Sequence, residues 1–537
     1  MIRYVLFASL VLSACSLSGS PKAQAPAKEL NLYLQTDSSS LDPRIGCDCQ
    51  SVLLIRELFE GLVRIGGNGD PELALASSYT LSDDGTVYTF HLRPATWSND
   101  TPVTANDFVF AWKSMLDNSI PSAGAYALSI IKNARKAQLN QCSLDEVGIK
   151  AIDPSTLEVT LENPAPYFFE LLALPLFSPV CQAAVEKNPE WANSSFPDYV
   201  CNGPFILKER KPKSLLTLEK NPHYLGTGPA KTDTMRFSII SDPQVAYKMF
   251  QEGSLDWYGE TFGSVTLDTV SELAQKGDLV KRPSGGSQWL LCNVKTPHLS
   301  SVKIRKALAC AINRQELCDK VLQGGEAPSY SVVLRSMSQL KERPFDYNPT
   351  LARQLLDEGM AELGYTRETF PPITITHLSE PIVKAIVEAE QQQIQNALGI
   401  TIDLGPVDWG TYIKLVSSSD ESQGASLYQL MSLYWFTFYQ DPIHNLEDAK
   451  YRGLGANTMG WESSRYIALL DQADNTVDPQ MRSFYLQQAE QLLMDELPII
   501  PVFYHTFKYV KAPRLTGEAI SGAGQVELRW LEKSSVG

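Results

Sequence analysis

The residues best placed for chemistry lie between 434 and 445, where YWFTFYQDPIHN sets five aromatics in six positions ahead of Gln440, Asp441 and Pro442. Two readings fit that pattern: a buried strand running into an Asp-Pro turn, or an aromatic wall with one acid beside a bound ligand. Signatures of catalysis are sparse by comparison. Gly226-Thr227-Gly228-Pro229-Ala230-Lys231-Thr232 lacks the spacing of a phosphate loop, and its proline removes an N–H that would cradle phosphate. Ser129-Ile130-Ile131-Lys132 matches S-x-x-K, but neither S-D-N nor K-T-G follows it. There is no H-E-x-x-H, and the six histidines are scattered. Cys47 and Cys49 form a C-x-C without a second Cys or His cluster at zinc spacing, which favours a disulfide or free thiols over a metal. No metal and no cofactor is expected.

The elements that must position these residues are mixed helix and strand. Thr104 to Asp107 has the form of a capping box opening a helix that carries Phe108, Phe110, Trp112 and Met115. Asn348-Pro349 opens a second helix, with Leu351, Leu355, Leu356, Met360 and Leu363, stopped at Gly364. Strand 373–376, helix 381–398, Gly399 and strand 400–404 make a βαβ unit whose apolar face is expected at Ile382, Ala385, Ile386, Ala389 and Ile394. Asp478-Pro479 opens a helix that ends before Pro498 and feeds the apolar strand 499–505. Beyond about residue 285 the chain therefore reads as an α/β domain.

At the N-terminus, Arg3, an apolar run from Tyr4 to Leu12 and small residues before Cys15 suit a signal peptide and are too short to cross a bilayer as a helix. Leu12-Ser13-Ala14-Cys15 has the form of a lipobox, with Cys15 as the acylated first residue of the mature chain and 15–28 as a flexible tether. Removing 1–14 leaves 45 basic against 61 acidic residues, a formal charge of −16. That excess argues against nucleic acid or an anionic surface as the main partner. Eight cysteines remain, an even number compatible with disulfides whose pairing the sequence does not choose. Length and 44% hydrophobic content allow two or three domains with large cores.

Long stretches resemble the solute-binding lipoproteins of peptide-type ABC importers, the peptide/nickel family 5. Among them are LFEGLVR (58–64), LSDDGTVYTFHLRPATWSNDTPVTANDFVFAW (81–112), LEVTLENPAPYFFELLALPLFSPV (157–180), CNGPFILKE (201–209), VKIRKALACAINR (302–314), LARQLLDEGMAELGY (351–365) and LPIIPVFYH (497–505). They follow the family's order over nearly the whole mature chain. The resemblance implies an α/β, two-lobed periplasmic-binding-protein-like clamp of the cluster C type with an extra inserted domain. It divides the chain into a signal peptide (1–14), a tether (15–28), a discontinuous first lobe (29–50, 180–288 and 505–537), an extra domain (51–179) and a second lobe (289–504). It further implies a monomer, held to the periplasm or the outer face of a bacterial membrane by lipid, that buries a short peptide between its lobes and passes it to a membrane permease without catalysis.

In that family the segment at 435–442 runs Trp-x-x-Asp-Tyr-x-acid-Pro, and its Asp pairs with the peptide ammonium. Here Trp435, Tyr439, Asp441 and Pro442 match, but Phe438 stands where the Asp is expected. Three readings remain open: another acid takes the amine, with Asp441 or Asp37 as candidates; the ligand is a modified or cell-wall peptide, or a non-peptide solute; or the alignment is shifted. Asp441 has its own alternative as a loop-capping carboxylate. Tyr126, Trp409 and Trp289 match pocket positions, and each also suits plain core. With Tyr434, Trp435, Phe436 and Phe438 these complete the expected binding set. Ile382 and Ser432 occupy places where some relatives carry the bases that receive a peptide carboxylate. The competing classes are an exported hydrolase using Ser129 and Lys132 and a structural envelope protein.

Overall fold

A computed structural model describes residues 28–534 apart from positions 118, 123, 227, 341, 342, 344, 417–427 and 452–456. The expected signal peptide, Cys15 and all but the last residue of the tether lie outside the described residues.

The N-terminal lobe is assembled from segments far apart in sequence. Strand Glu29–Leu34 pairs parallel with Thr234–Ile239, and antiparallel strands Leu215–Lys220 and Phe205–Lys211 complete that sheet. Between them is inserted a second, antiparallel sheet in the order Ala76–Leu81, Val87–Leu92, Thr156–Thr160, Ile149–Asp153. Helix Ala105–Leu116 opens as expected, with the Thr104 N–H donating to Asp107 at 2.8 Å, and buries Phe108, Trp112 and Met115; Phe110 is only half-buried. The chain's far end returns here. The Leu528 N–H donates to Glu57 at 2.6 Å, while Arg56 pairs with Glu527 and Arg529 with Glu60, each at 3.5 Å and buried. Buried pairs of this kind contribute little net stability but penalise any other docking of the C-terminal segment.

A seven-stranded sheet in the order Trp257–Gly259, Ile499–Lys511, Val280–Cys292, Leu430–Phe436, Ile373–Leu378, Ile402–Val407, with Ala327–Pro328 beside Ile499–Lys511, runs from the N-terminal lobe, where Tyr258 stacks on Tyr33, into the C-terminal lobe. Ile373–Leu378 and Ile402–Val407 are parallel and joined by helix Pro381–Leu398, the expected βαβ unit. Alternation along the strands sends Leu290 and Leu430 into a core shared with helices Val302–Ala311, Pro349–Leu363 and Pro381–Leu398. Trp289, Leu291, Met431 and Leu433 point the other way, into a core shared with helices Ser464–Asp474 and Pro479–Glu496. Such two-sided cover suits the nearly continuous apolar character of these strands.

Helix ends follow local chemistry. Gly364 and Gly399 terminate their helices in the left-handed conformation, at φ 75° and 67°. Two helix faces differ from expectation. On Pro381–Leu398 the buried stripe is Val383, Ile386, Val387, Glu390 and Ile394, leaving Ile382, Ala385 and Ala389 on its half-buried edge. On Pro349–Leu363, Leu351 and Leu363 are exposed, and Ala352, Leu356 and Met360 carry the packing. All eight cysteines from Cys47 to Cys318 are free thiols. Among the described residues no three His, Cys, Asp or Glu side chains gather as metal ligands, and no helix is long and apolar enough to cross a membrane.

Candidate binding cleft

Strand Leu430–Phe436 divides the aromatic run between two faces, because successive side chains alternate. Trp435 lies on one face, half-buried, its ring stacked on Trp289 at 6.0 Å and 24°. Trp289 is fully buried and its indole N–H donates to Ser287 at 2.8 Å. It therefore stands behind the wall and offers no surface to a ligand, contrary to the expectation of contact. Tyr434 and Phe436 occupy the opposite face, edge-on to His505 at 5.9 Å each, with Phe436 37% exposed. Beyond the strand, Thr437 anchors the turn: its N–H donates to the Gly285 carbonyl at 2.9 Å and its hydroxyl to Asn445 at 3.1 Å.

Asp441 is committed to structure. One carboxylate oxygen accepts the Ile443 N–H at 2.9 Å and caps helix Pro442–Glu447, and both oxygens pair with the Arg482 guanidinium at 2.7 and 2.9 Å. Its capping alternative describes what is seen, and a ligand amine would have to displace a buried arginine. Asp37 is half-buried and accepts the Lys213 N–H at 2.9 Å, holding a turn in which Lys213 adopts φ 59°. Ser432 is buried and accepts from Gln288 at 3.0 Å, while Ile382 is half-buried.

The turn 438–441 meets the N-terminal lobe. Tyr439 stacks on Tyr167 at 4.7 Å and 11°, and Arg482 lies 5.6 Å over the other ring of that pair, Tyr167. The Gln440 N–H donates to the Glu170 carboxylate. Gln525, from the C-terminal segment, donates to the Phe438 carbonyl at 2.7 Å. The Phe438 ring is 44% exposed and leans on His444 at 5.4 Å. Burial pushes the His444 imidazole down to about 4, so it is neutral at ordinary pH. Tyr167 and Glu170 sit one turn apart around helix Phe168–Leu172, a spacing that puts both on one side. The sequence reading passed over this pair, whose only local signal was that spacing, and over Arg482 and Gln525, which had none.

Two further expected residues are largely exposed. Tyr126, in the short helix Ala125–Ile130, is 57% exposed, yet burial first, then the charges of Asp448 and Cys47, push its hydroxyl up to about 12. Trp409 is 62% exposed on helix Trp409–Val416 and stacks on Tyr412 at 5.9 Å, whose hydroxyl donates to the Ser432 carbonyl at 3.2 Å. The helix is thereby fastened to the aromatic strand while the indole stays free.

Two lobes joined by paired strands and meeting through a tyrosine stack and hydrogen bonds define a clamp-type binding protein. The chain belongs to the bacterial extracellular solute-binding proteins of family 5, whose model matches residues 70–453. It is 34% identical to the oligopeptide-binding protein OppA of Bacillus subtilis, with 98% of each chain covered, and 32% identical to the dipeptide-binding protein DppE of the same organism, covering 94% of this chain and 92% of DppE. Among solved structures, the Escherichia coli murein tripeptide binding protein MppA superposes with a TM-score of 0.80 at 25% identity, covering 95% of this chain and 99% of that one. Listeria monocytogenes OppA bound to peptide gives 0.78 at 25% identity, covering 95% and 100%. The family is extracytoplasmic.

Proposed function

We propose that this protein captures short peptides between its two lobes and delivers them to the membrane permease of an ABC importer. One observation carries the reading: in a chain of this family, the end of the aromatic run meets the other lobe, with Tyr439 stacked on Tyr167 and the Gln440 N–H donating to Glu170. The names of the oligopeptide-, dipeptide- and murein-peptide-binding relatives point the same way. An extended peptide offers backbone groups for strand-like pairing, and wide, wet pockets tolerate varied side chains. Closure supplies the differential affinity that marks the loaded state.

In this proposal 29–50, 180–288 and 505–537 form the first lobe, 51–179 its extra domain and 289–504 the second lobe. Strands Val280–Cys292 and Ile499–Lys511 run through both junctions and carry the hinge. The protein acts as a monomer without catalysis, tethered to the membrane through Cys15. Ser129 and Lys132 are both exposed and share no hydrogen bond among the described residues, which gives the hydrolase alternative no support.

Native mass spectrometry of the purified protein, followed by denaturing release of whatever it retains, tests the proposal. Short peptides are expected. Release of a non-peptide solute would reject the peptide assignment.

A further inference from the structure

Where the turn 438–441 meets the N-terminal lobe, a small recess leaves about 10 Å³, room for a single group the size of a water molecule or an ammonium head. Its polar lining includes Glu170, Gln440, Ser521 and Gln525, the Phe438 ring closes one side, and none of its lining side chains is basic. Gly69 shapes another wall: it adopts φ 89° and passes so close to the Ile520 carbonyl that a Cβ would collide with it. One Glu170 oxygen receives the Gln440 N–H, and the other makes no hydrogen bond among the described residues. Resting on the peptide-capture reading above, we propose that Glu170 is the specificity residue that receives the ligand's primary ammonium, from the lobe opposite to Phe438.

The chemistry of the pocket selects a cation. A carboxylate with one open oxygen supplies charge and an acceptor. The Phe438 face adds the attraction of an aromatic ring for an ammonium, and the absence of a basic lining residue leaves the charge for the ligand to neutralise. Burial raises the Glu170 carboxyl above its ordinary value, the Gln440 N–H opposes this, and the nearby Asp441 and Asp70 charges raise it further, so an incoming cation relieves local repulsion. Asp441 is already paired with Arg482 and is not available for the same task. Because the Gln440 N–H and the ammonium use different oxygens of one side chain, ligand and lobe seam are held together by a single residue. An amine bound there favours the closed clamp directly.

The test uses a random tri- to pentapeptide library and its N-acetylated counterpart, offered together to the full-length protein, with captured peptides counted by mass spectrometry. The wild type is expected to enrich free amines by at least roughly 30-fold, as loss of a desolvated charge contact would imply. In E170Q, which keeps an oxygen for Gln440, that ratio is expected to fall towards one, while E170D retains a preference. If E170Q does not fold, the neutral E170A carries the same comparison. A preference undiminished in the neutral variant overturns the proposal, as does one lost instead in E447Q, which would move the anchor to the acid ending helix Pro442–Glu447. A wild type that captures both libraries equally overturns it while leaving peptide capture standing; capture of neither overturns both.

Discussion

At the scale of single residues, the most exacting position is Glu390, fully buried on helix Pro381–Leu398, with neither carboxylate oxygen in a close hydrogen bond among the described residues. Burial pushes its carboxyl up to about 8 from an ordinary 4.5, against the opposing pull of the Arg314 charge and the Gln288 amide. The raised value means the folded protein holds a proton that the unfolded chain releases near pH 4.5. This contribution to stability is therefore complete below pH 4.5 and is lost as pH rises through about 8. Between pH 5 and 8 the loss amounts to roughly 3 kcal/mol. E390Q is expected to flatten urea-unfolding stability across that interval and to exceed the wild type at pH 8; parallel pH profiles for the two proteins would refute the assignment. Glu390 also bears on why the helix and two of its buried residues, Ile386 and Ile394, were legible and the rest of the stripe was not. The spacing of apolar residues gave the period, but a glutamate in the middle of the stripe turned the reading toward Ile382, Ala385 and Ala389.

At the scale of elements, helix ends were written locally and partners were not. The capping box at Thr104, the glycines at 364 and 399 and the Asp-Pro openings all act within four residues, so sequence alone placed those ends. Asp441 likewise announced a cap. Its second partner, Arg482, lies 41 residues on in helix Pro479–Glu496, and no spacing rule connects the two. The pair fixes the short helix Pro442–Glu447 against the long one. R482M is expected to cost about 3–5 kcal/mol, because it leaves the Asp441 carboxylate buried without its counter-charge. D441N/R482M should recover part of that, since the amide keeps an oxygen for the Ile443 N–H and no charge is stranded. Denaturant unfolding of the two single variants and the double variant measures the coupling. Additive losses would show that the ion pair contributes nothing beyond its separate contacts.

At the scale of the whole molecule, the resemblance made the clamp legible, while the seam between its lobes was not, because the residues that meet there are more than 80 apart in sequence. Strands Val280–Cys292 and Ile499–Lys511 carry the chain through the seam, and their register shifts twice, between Gln288 and Trp289 and between Pro283 and Ser287. Gly285 sits in that break at φ 70°, where a Cβ would press into the Ala523 carbonyl. The connection is continuous but irregular over 283–289, which suits bending within that short stretch more than sliding. Away from the hinge strands, the contacts between the lobes include the Tyr167–Tyr439 stack, Arg482 over Tyr167, and the hydrogen bonds of Glu170 and Gln525. The stack is worth about 0.5–1.5 kcal/mol and the cation over its face about 0.5–2 kcal/mol. Y167A removes both without touching the strands. A ligand that must now supply the lost closure energy binds more weakly, by roughly tenfold. The ligand-free variant should show a larger radius of gyration in X-ray scattering and close again at saturating peptide. If scattering and affinity both match the wild type, the aromatic stack is a passive contact and closure is governed by the hinge strands alone.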